Sequence, residues 1–220
     1  MMLNKLFHTE YSSTDDVKSE DRKVLSGAKL VGSDPARGRV SHDYYATPFN
    51  ATEAILSRIS LGFDTILEPA AGEGHIVQVL RKYYPNNKII ANDLICRESR
   101  LGIEVNGGVD FLEYESKEPI DSIITNPPFA LAQAFIEKAL SIANHYVIIF
   151  ARIQLLETAE RKEMFKYNPP HFVYVFSKRV APLPNGEAVA PNGKPWSSTM
   201  CFAWFVWEKG YTGDTIIRWL

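Results

Sequence analysis

Two segments combine residue types that chemistry needs. Asn126-Pro127-Pro128-Phe129 directly follows the apolar run Ser122-Ile123-Ile124-Thr125. Consecutive prolines remove two backbone donors and hold the chain extended, so their carbonyls become preset acceptors beside the Asn126 amide oxygen. Such acceptors suit a planar amino group. Bonds to both of its hydrogens draw the nitrogen lone pair out of conjugation and aim it at a methyl donor. Phe129 adds a π face for the ring that bears the amine.

The second segment is Glu68-Pro69-Ala70-Ala71-Gly72-Glu73-Gly74, after the apolar run Thr65-Ile66-Leu67. Gly72 and Gly74 permit a tight turn and close backbone approach, and the helix expected from His75 points its N-terminal dipole at the turn. The string departs from GxGxxG: Ala70 stands where the first glycine would be. That departure, and Glu68 at the end of the strand, oppose a pyrophosphate and suit a ligand carrying an amine or a sulfonium. Asp93 closes the next apolar run, about 20 residues on, where a carboxylate accepts from ribose hydroxyls. Asp110 and Phe111 then supply a carboxylate and an aromatic face for adenine. Together these strand-end residues point to a nucleoside-bearing cofactor.

These loops need a parallel sheet to position them. Thr47 caps a helix with Pro48 at its first position, and Ala51, Ala54, Ile55 and Ile59 form its apolar stripe. Further helices are expected over 75–84, 131–142 and 155–167, and strands over 65–67, 88–93, 122–125 and 146–150. Near-continuous apolar strands alternating with helices imply a parallel sheet covered on both faces. The end differs: 172–180 and 201–207 are strand-like with no helix between, an antiparallel hairpin with a long Pro/Gly/Asn-rich loop. Trp196, Trp204 and Trp207 are expected to pack that hairpin. Asn168-Pro169-Pro170-His171 repeats the NPP string but ends a helix and precedes a strand. It therefore falls at the amino end of the sheet, away from a ligand crevice, and reads as a helix stop.

The 220 residues carry 24 Lys plus Arg against 26 Asp plus Glu, a net charge of −2, which excludes a strongly basic nucleic-acid coat. Cys96 and Cys201 show no metal-ligand spacing, so no metal site and a reducing, cytoplasmic setting are expected. Neither a signal core nor a membrane span is indicated. Residues 1–42 read as a weakly ordered polar arm, within which the stretch 22–39 carries Arg22, Lys23, Lys29, Arg37 and Arg39 against Asp34 alone. That stretch is either a solvated tail or a phosphate-contacting arm. Residues 43–220 form the expected catalytic domain, with a loop insertion at about 177–200.

The glycine loop followed by Asn126-Pro127-Pro128-Phe129 resembles the S-adenosylmethionine-dependent amino-methyltransferases, especially the N6-adenine DNA methyltransferases with a [DNS]PP[YFW] motif. Asp43-Tyr44-Tyr45-Ala46-Thr47-Pro48 is similar to the segment that precedes the glycine loop in that family, and the likeness spans about residues 41–180. The resemblance implies a Rossmann-like α/β fold with a mostly parallel seven-stranded sheet and a C-terminal antiparallel hairpin. It implies S-adenosyl-L-methionine held by Tyr45, Thr47, Pro48, Glu68, Ala70, Gly72, Gly74, Asp93, Asp110 and Phe111. Asn126, Pro127, Pro128 and Phe129 would hold the target base. Phe176 is either a second aromatic around that base or a core residue.

Relatives usually append a recognition domain, so here recognition is expected from the insertion, with Lys178, Arg179 and Lys194, from the basic arm, or from a protein partner. DNA is the favoured acceptor over RNA. The alternatives are adenine in RNA, a glutamine amide in protein, and a catalytically inactive cofactor-binding interaction module. Neither cysteine follows a proline, which argues against methylation of a cytosine ring carbon.

Overall fold

Residue-by-residue alternation along two central strands explains how the sheet is buried. In Ala143–Arg152, Val147, Ile149 and Ala151 enter one apolar cluster, while Ile148 and Phe150 enter another. In Phe202–Glu208, Ala203, Phe205 and Trp207 join the first cluster, and Phe202, Trp204 and Val206 the second. A pleated strand sends successive side chains to opposite faces, so continuous apolarity means that both faces are covered. The structure is a computed structural model and describes residues 44–62 and 65–220. The expected N-terminal arm lies outside the described residues.

Among the described residues the elements in chain order are β1 (Tyr45–Ala46), α1 (Phe49–Leu56), β2 (Thr65–Glu68), α2 (His75–Tyr83), β3 (Lys88–Ala91), β4 (Ile120–Thr125), α3 (Ala132–Ile142), β5 (Ala143–Arg152), α4 (Ala159–Tyr167), β6 (Phe172–Val175), β7 (Leu183–Pro184), β8 (Phe202–Glu208) and β9 (Ile216–Trp219). The main sheet has seven strands in the order β3-β2-β4-β5-β8-β6-β9, and β1 with β7 forms a separate two-stranded ribbon. β8 runs antiparallel to both neighbours, and the other pairs are parallel. α1 and α2 contribute Ala51, Ile55, Ile76 and Leu80 to one cluster, and α3 and α4 contribute Phe135, Ile136 and Met164 to the other. Helices therefore cover both faces of the sheet. No helix among the described residues is long and apolar enough to cross a membrane.

The hairpin of β6 and β8 is as expected, with Phe172 opposite Val206 and Val175 opposite Ala203. Besides shifts of a few residues at other element ends, the structure departs from expectation in the following places. Pro48 is itself the cap of α1 (φ −58°, ψ 143°) rather than its first helical residue. Its φ suits either position, but its extended ψ delays the first turn by one residue. The expected helix 155–167 divides into a short 3-10 turn over Ile153–Leu156 and α4, which begins after Thr158 at φ 93°. The strand expected over 172–180 ends at Val175. Finally, Ile216–Trp219 joins the sheet as β9 beside β6.

The seven strands are thus reached in an unexpected way. Past β3 the chain makes one parallel bridge, Asn92 with Asn106, instead of another strand. The seventh strand comes from the C-terminal segment at the opposite edge. Asn168 caps the end of α4, its N–H donating to the Met164 carbonyl at 2.9 Å, so the second NPP string does stop a helix. Trp204 and Trp207 are buried, and their Nε1–H groups donate to the Ala51 and Asn168 carbonyls, each at 2.9 Å.

Candidate active site

The chain leaves β2 toward β3 on one side and later returns to β4 on the other, so β2 and β4 flank a topological switch point. Ligands of open α/β sheets bind beyond the carboxyl ends of strands at such a point. Ile66 pairs with Ser122 and Leu67 with Ile123, so the glycine loop and the NPPF loop emerge side by side from adjacent parallel strands.

Glu68 ends β2 fully buried, and neither carboxylate oxygen has a hydrogen-bond partner among the described residues. The Thr125 hydroxyl, at the end of β4, is buried and also lacks a partner. Burial pushes the Glu68 carboxyl up to about 8, and the nearby Asp93 charge adds to the rise. The Thr125 hydroxyl and the Ala70 amide lie close by and oppose the rise without offsetting it, neither reaching hydrogen-bonding geometry. A buried carboxyl without a partner, at the carboxyl end of a strand beside the switch point, fits a cationic group. Thr47, 2 % exposed, contributes another orphan hydroxyl.

The glycine loop is held from its own side. Gly72 donates its N–H to Asp93 Oδ2 at 2.7 Å. Asp93 Oδ1 accepts from the Ile95 amide at 2.8 Å and pairs with Arg97 at 3.0 Å. Both oxygens of the expected ribose acceptor are therefore engaged in fastening loops. The two glycines are required by backbone angle and by neighbours: φ is +57° at Gly72 and +90° at Gly74. A Cβ would meet the Tyr44 ring at 2.9 Å and Ile103 at 2.5 Å respectively. Gly74→Ala is therefore expected to destabilise the fold by about 2 kcal/mol, roughly 4–8 °C in Tm. Thermal unfolding followed by circular dichroism checks this.

Asp110 is exposed and accepts from the Leu112 amide at 2.9 Å. Phe111 turns the other way. Its ring is 2 % exposed and tilts against Phe135 at 5.0 Å, so the aromatic face expected for adenine is taken up by the core.

At the NPPF loop, Asn126 Nδ2 donates to the Tyr45 carbonyl at 2.7 Å. That bond orients the amide and leaves Oδ1 as its acceptor end. Tyr45 also stands beside Phe129 (ring centroids 6.1 Å apart) and is 45 % exposed, so this residue, expected on the cofactor, neighbours the ring expected to hold the base. Phe176 does not face Phe129. A chain of rings runs Phe129–Phe202–Phe150–Phe176, at 6.2, 5.1 and 6.2 Å. Phe176 instead lines a cavity of about 230 Å³ over α1 together with Lys178 and Arg179. Arg179 further donates to the Ser198 carbonyl at 3.1 Å, drawing the ends of the insertion together.

The insertion is fastened to the site at two points. β7 pairs with β1, Tyr45 opposite Pro184 and Ala46 opposite Leu183. Arg100 grips Glu73 through Nε and Nη2 at 2.9–3.1 Å, pairs with Glu187, and donates to the Asn185 carbonyl. Burial acts to raise the Glu73 carboxyl, but the Arg100 guanidinium prevails and holds it below the ordinary carboxylate range. Sequence reading missed Tyr44, Arg100, Phe202 and Arg152. Of these, Arg152 carried a usable signal: a charged residue ending an apolar strand on the ligand side, the same placement that nominated Glu68 and Asp93.

No family model matches the chain. Its sequence is 28% identical over 115 residues to the type II methyltransferase M.CvrRI of Paramecium bursaria Chlorella virus XZ-6E, a match over 50% of this chain and 29% of that protein. The fold is similar to a protein assigned as the modification subunit of a type I restriction enzyme from Vibrio vulnificus YJ016. There the TM-score is 0.55 and identity 14%, over 88% of this chain and 50% of that one. It is also similar to a protein assigned as a hemolysin from Lactococcus lactis, at TM-score 0.53 and 10% identity over 77% and 91% of the two chains. The chain thus carries the Rossmann-like methyltransferase fold, and its sequence is akin to that of a type II methyltransferase.

Proposed function

We propose that the protein transfers a methyl group from S-adenosyl-L-methionine to the exocyclic amine of adenine in DNA. The observation that carries this reading is the oriented Asn126 amide, at the carboxyl end of β4 and beside the glycine loop. With Nδ2 held by the Tyr45 carbonyl, Oδ1 and the Pro127 carbonyl are the acceptors for the two hydrogens of an amino group, and Phe129 stacks on its ring. Positioning supplies most of the acceleration.

The cofactor, when bound, supplies a sulfonium methyl; the N–CH3 bond replaces the S–CH3 bond, and a proton leaves the nitrogen. Glu68, with its partnerless buried carboxyl, is the residue best suited to the cationic part of that molecule. Thr47, Pro48, Ala70, Gly72, Gly74, Asp93 and Asp110 complete the proposed pocket. A duplex adenine must leave the stack to reach Asn126, a cost offset by contacts to its edge and by stacking.

The likeness to a protein named as a type II methyltransferase supports DNA over RNA. Target selection is assigned to the 177–200 insertion, with Lys178 and Arg179, or to a partner protein. The test is methyl incorporation from labelled cofactor into unmethylated DNA, ribosomal RNA and protein side by side. Transfer to DNA is expected. Transfer confined to RNA or protein would remove this reading.

A further inference from the structure

We propose that Arg152 is a phosphate-contacting residue of the active site, its guanidinium taking a backbone phosphate beside the target nucleotide; this rests on the adenine-methylation reading above. Arg152 ends β5, the strand next to β4, and its guanidinium carbon lies 4.0 Å from the Phe129 ring centroid. The residue is half-buried, and its Nε is a buried donor with no hydrogen-bond partner. Among the described residues no side-chain hydrogen bond or ion pair holds the guanidinium. Its neighbours are aromatic: Phe129, and Phe202, which faces Arg152 across β5 and β8 and has its ring 6.2 Å from that of Phe129.

This is an expensive arrangement for packing alone. A desolvated cation over an aromatic face gains about 2 kcal/mol or more, and a buried donor without a partner, at a cost of about 1–3 kcal/mol, cancels much of that gain. A Leu or Met side chain would cover the ring without that cost. The reaction sharpens the point. Methyl transfer to a neutral amine moves positive charge onto the acceptor nitrogen, and a nearby cation opposes that unless an anion offsets it. A nucleic acid brings such an anion with every nucleotide, while a glutamine side chain brings none. Arg also has the planar fork that meets phosphate oxygens two at a time. Stacking on Phe129 keeps the guanidinium beside the ring proposed to hold the base.

The test uses the full chain and a fluorescein-labelled duplex with one mismatched adenine, whose extrusion costs least. Binding is measured by anisotropy over a series of salt concentrations, and methyl transfer is measured in parallel. R152M is expected to weaken binding about tenfold and to lower the slope of log K against log salt by about 0.9, one phosphate contact. R152K keeps the charge and is expected to keep the slope. An unchanged slope in R152M overturns the proposal, and so does equal loss of slope in both variants, which would mark collapse of the Phe129 loop. Loss of one contact in R152M with no methylation of DNA by the wild-type protein would instead leave Arg152 standing and remove the adenine reading.

Discussion

Asn126→Ala is expected to lower methyl transfer about 100-fold or more while leaving S-adenosylmethionine affinity within about threefold. The amide has two jobs on opposite ends. Nδ2 fastens the NPPF loop to the Tyr45 carbonyl, and in the proposed reaction Oδ1 would accept from the substrate amine. Alanine removes both, yet the proposed cofactor pocket draws on β2, the glycine loop and the segment ahead of it, so cofactor binding is expected to be spared. The bond to Tyr45 is partly exposed, and its loss costs about 1 kcal/mol of stability, too little to unfold the domain. Single-turnover transfer and isothermal titration with the cofactor separate the two effects. Equal loss of cofactor affinity and transfer would assign Asn126 to the cofactor site. Unchanged turnover would favour the interaction-module alternative.

Glu68 gives the second large effect, and it depends on pH. Burial without a partner raises its carboxyl to about 8 from an unfolded value of 4.5. Between those two values the folded chain holds one proton more than the unfolded chain. The stability linked to Glu68 is therefore fully present below about pH 4.5, falls as pH rises, and levels off above about pH 8. The group is fully buried, so the span is on the order of a few kcal/mol. Glu68→Gln should flatten this slope and make the cofactor-free protein more stable than wild type at pH 8.5.

Cofactor binding should behave oppositely. A cation in the pocket favours the ionised carboxylate, so wild-type affinity rises with pH toward about 8. The Gln variant is expected to bind at least tenfold more weakly, without that rise. Urea unfolding at pH 5 and 8.5, together with cofactor titrations at the same pH values, checks both halves. A cofactor affinity indifferent to Glu68→Gln would remove Glu68 from the pocket.

Much of this was legible in residue types. The runs from Val147 to Ala151 and from Phe202 to Trp207 are apolar at every position and short, as strands covered on both faces are. That same pattern located β2 and β4 and hence the two loops between which the site lies. β9 escaped notice because Ile217 and Trp219 are exposed and the segment is only four residues long at the sheet's edge. Its membership depends on pairing with β6, a tertiary fact that no local periodicity carries.

Placement at a strand end was legible in the sequence, whereas side-chain direction was not. Asp110 and Phe111 are neighbours in sequence, but one faces solvent and the other enters the core. Phe176 directly follows β6, yet Phe202 and Phe150 intervene in the ring chain to Phe129. Tyr45 was nominated as a cofactor contact, whereas its carbonyl holds Asn126 and its ring stands beside Phe129. The fastening of the insertion by Arg100 joins residues 73, 100 and 187. Contacts so distant in sequence leave no trace in local pattern.

The central claim concerns the acceptor atom, and mass spectrometry of nucleosides tests it most directly. Unmethylated DNA is incubated with the protein and S-adenosylmethionine, digested, and resolved against standards. The account predicts N6-methyldeoxyadenosine in the wild-type reaction and its near-complete loss with Asn126→Ala. A digest with no methylated adenine, or with methylated cytosine in its place, would contradict it.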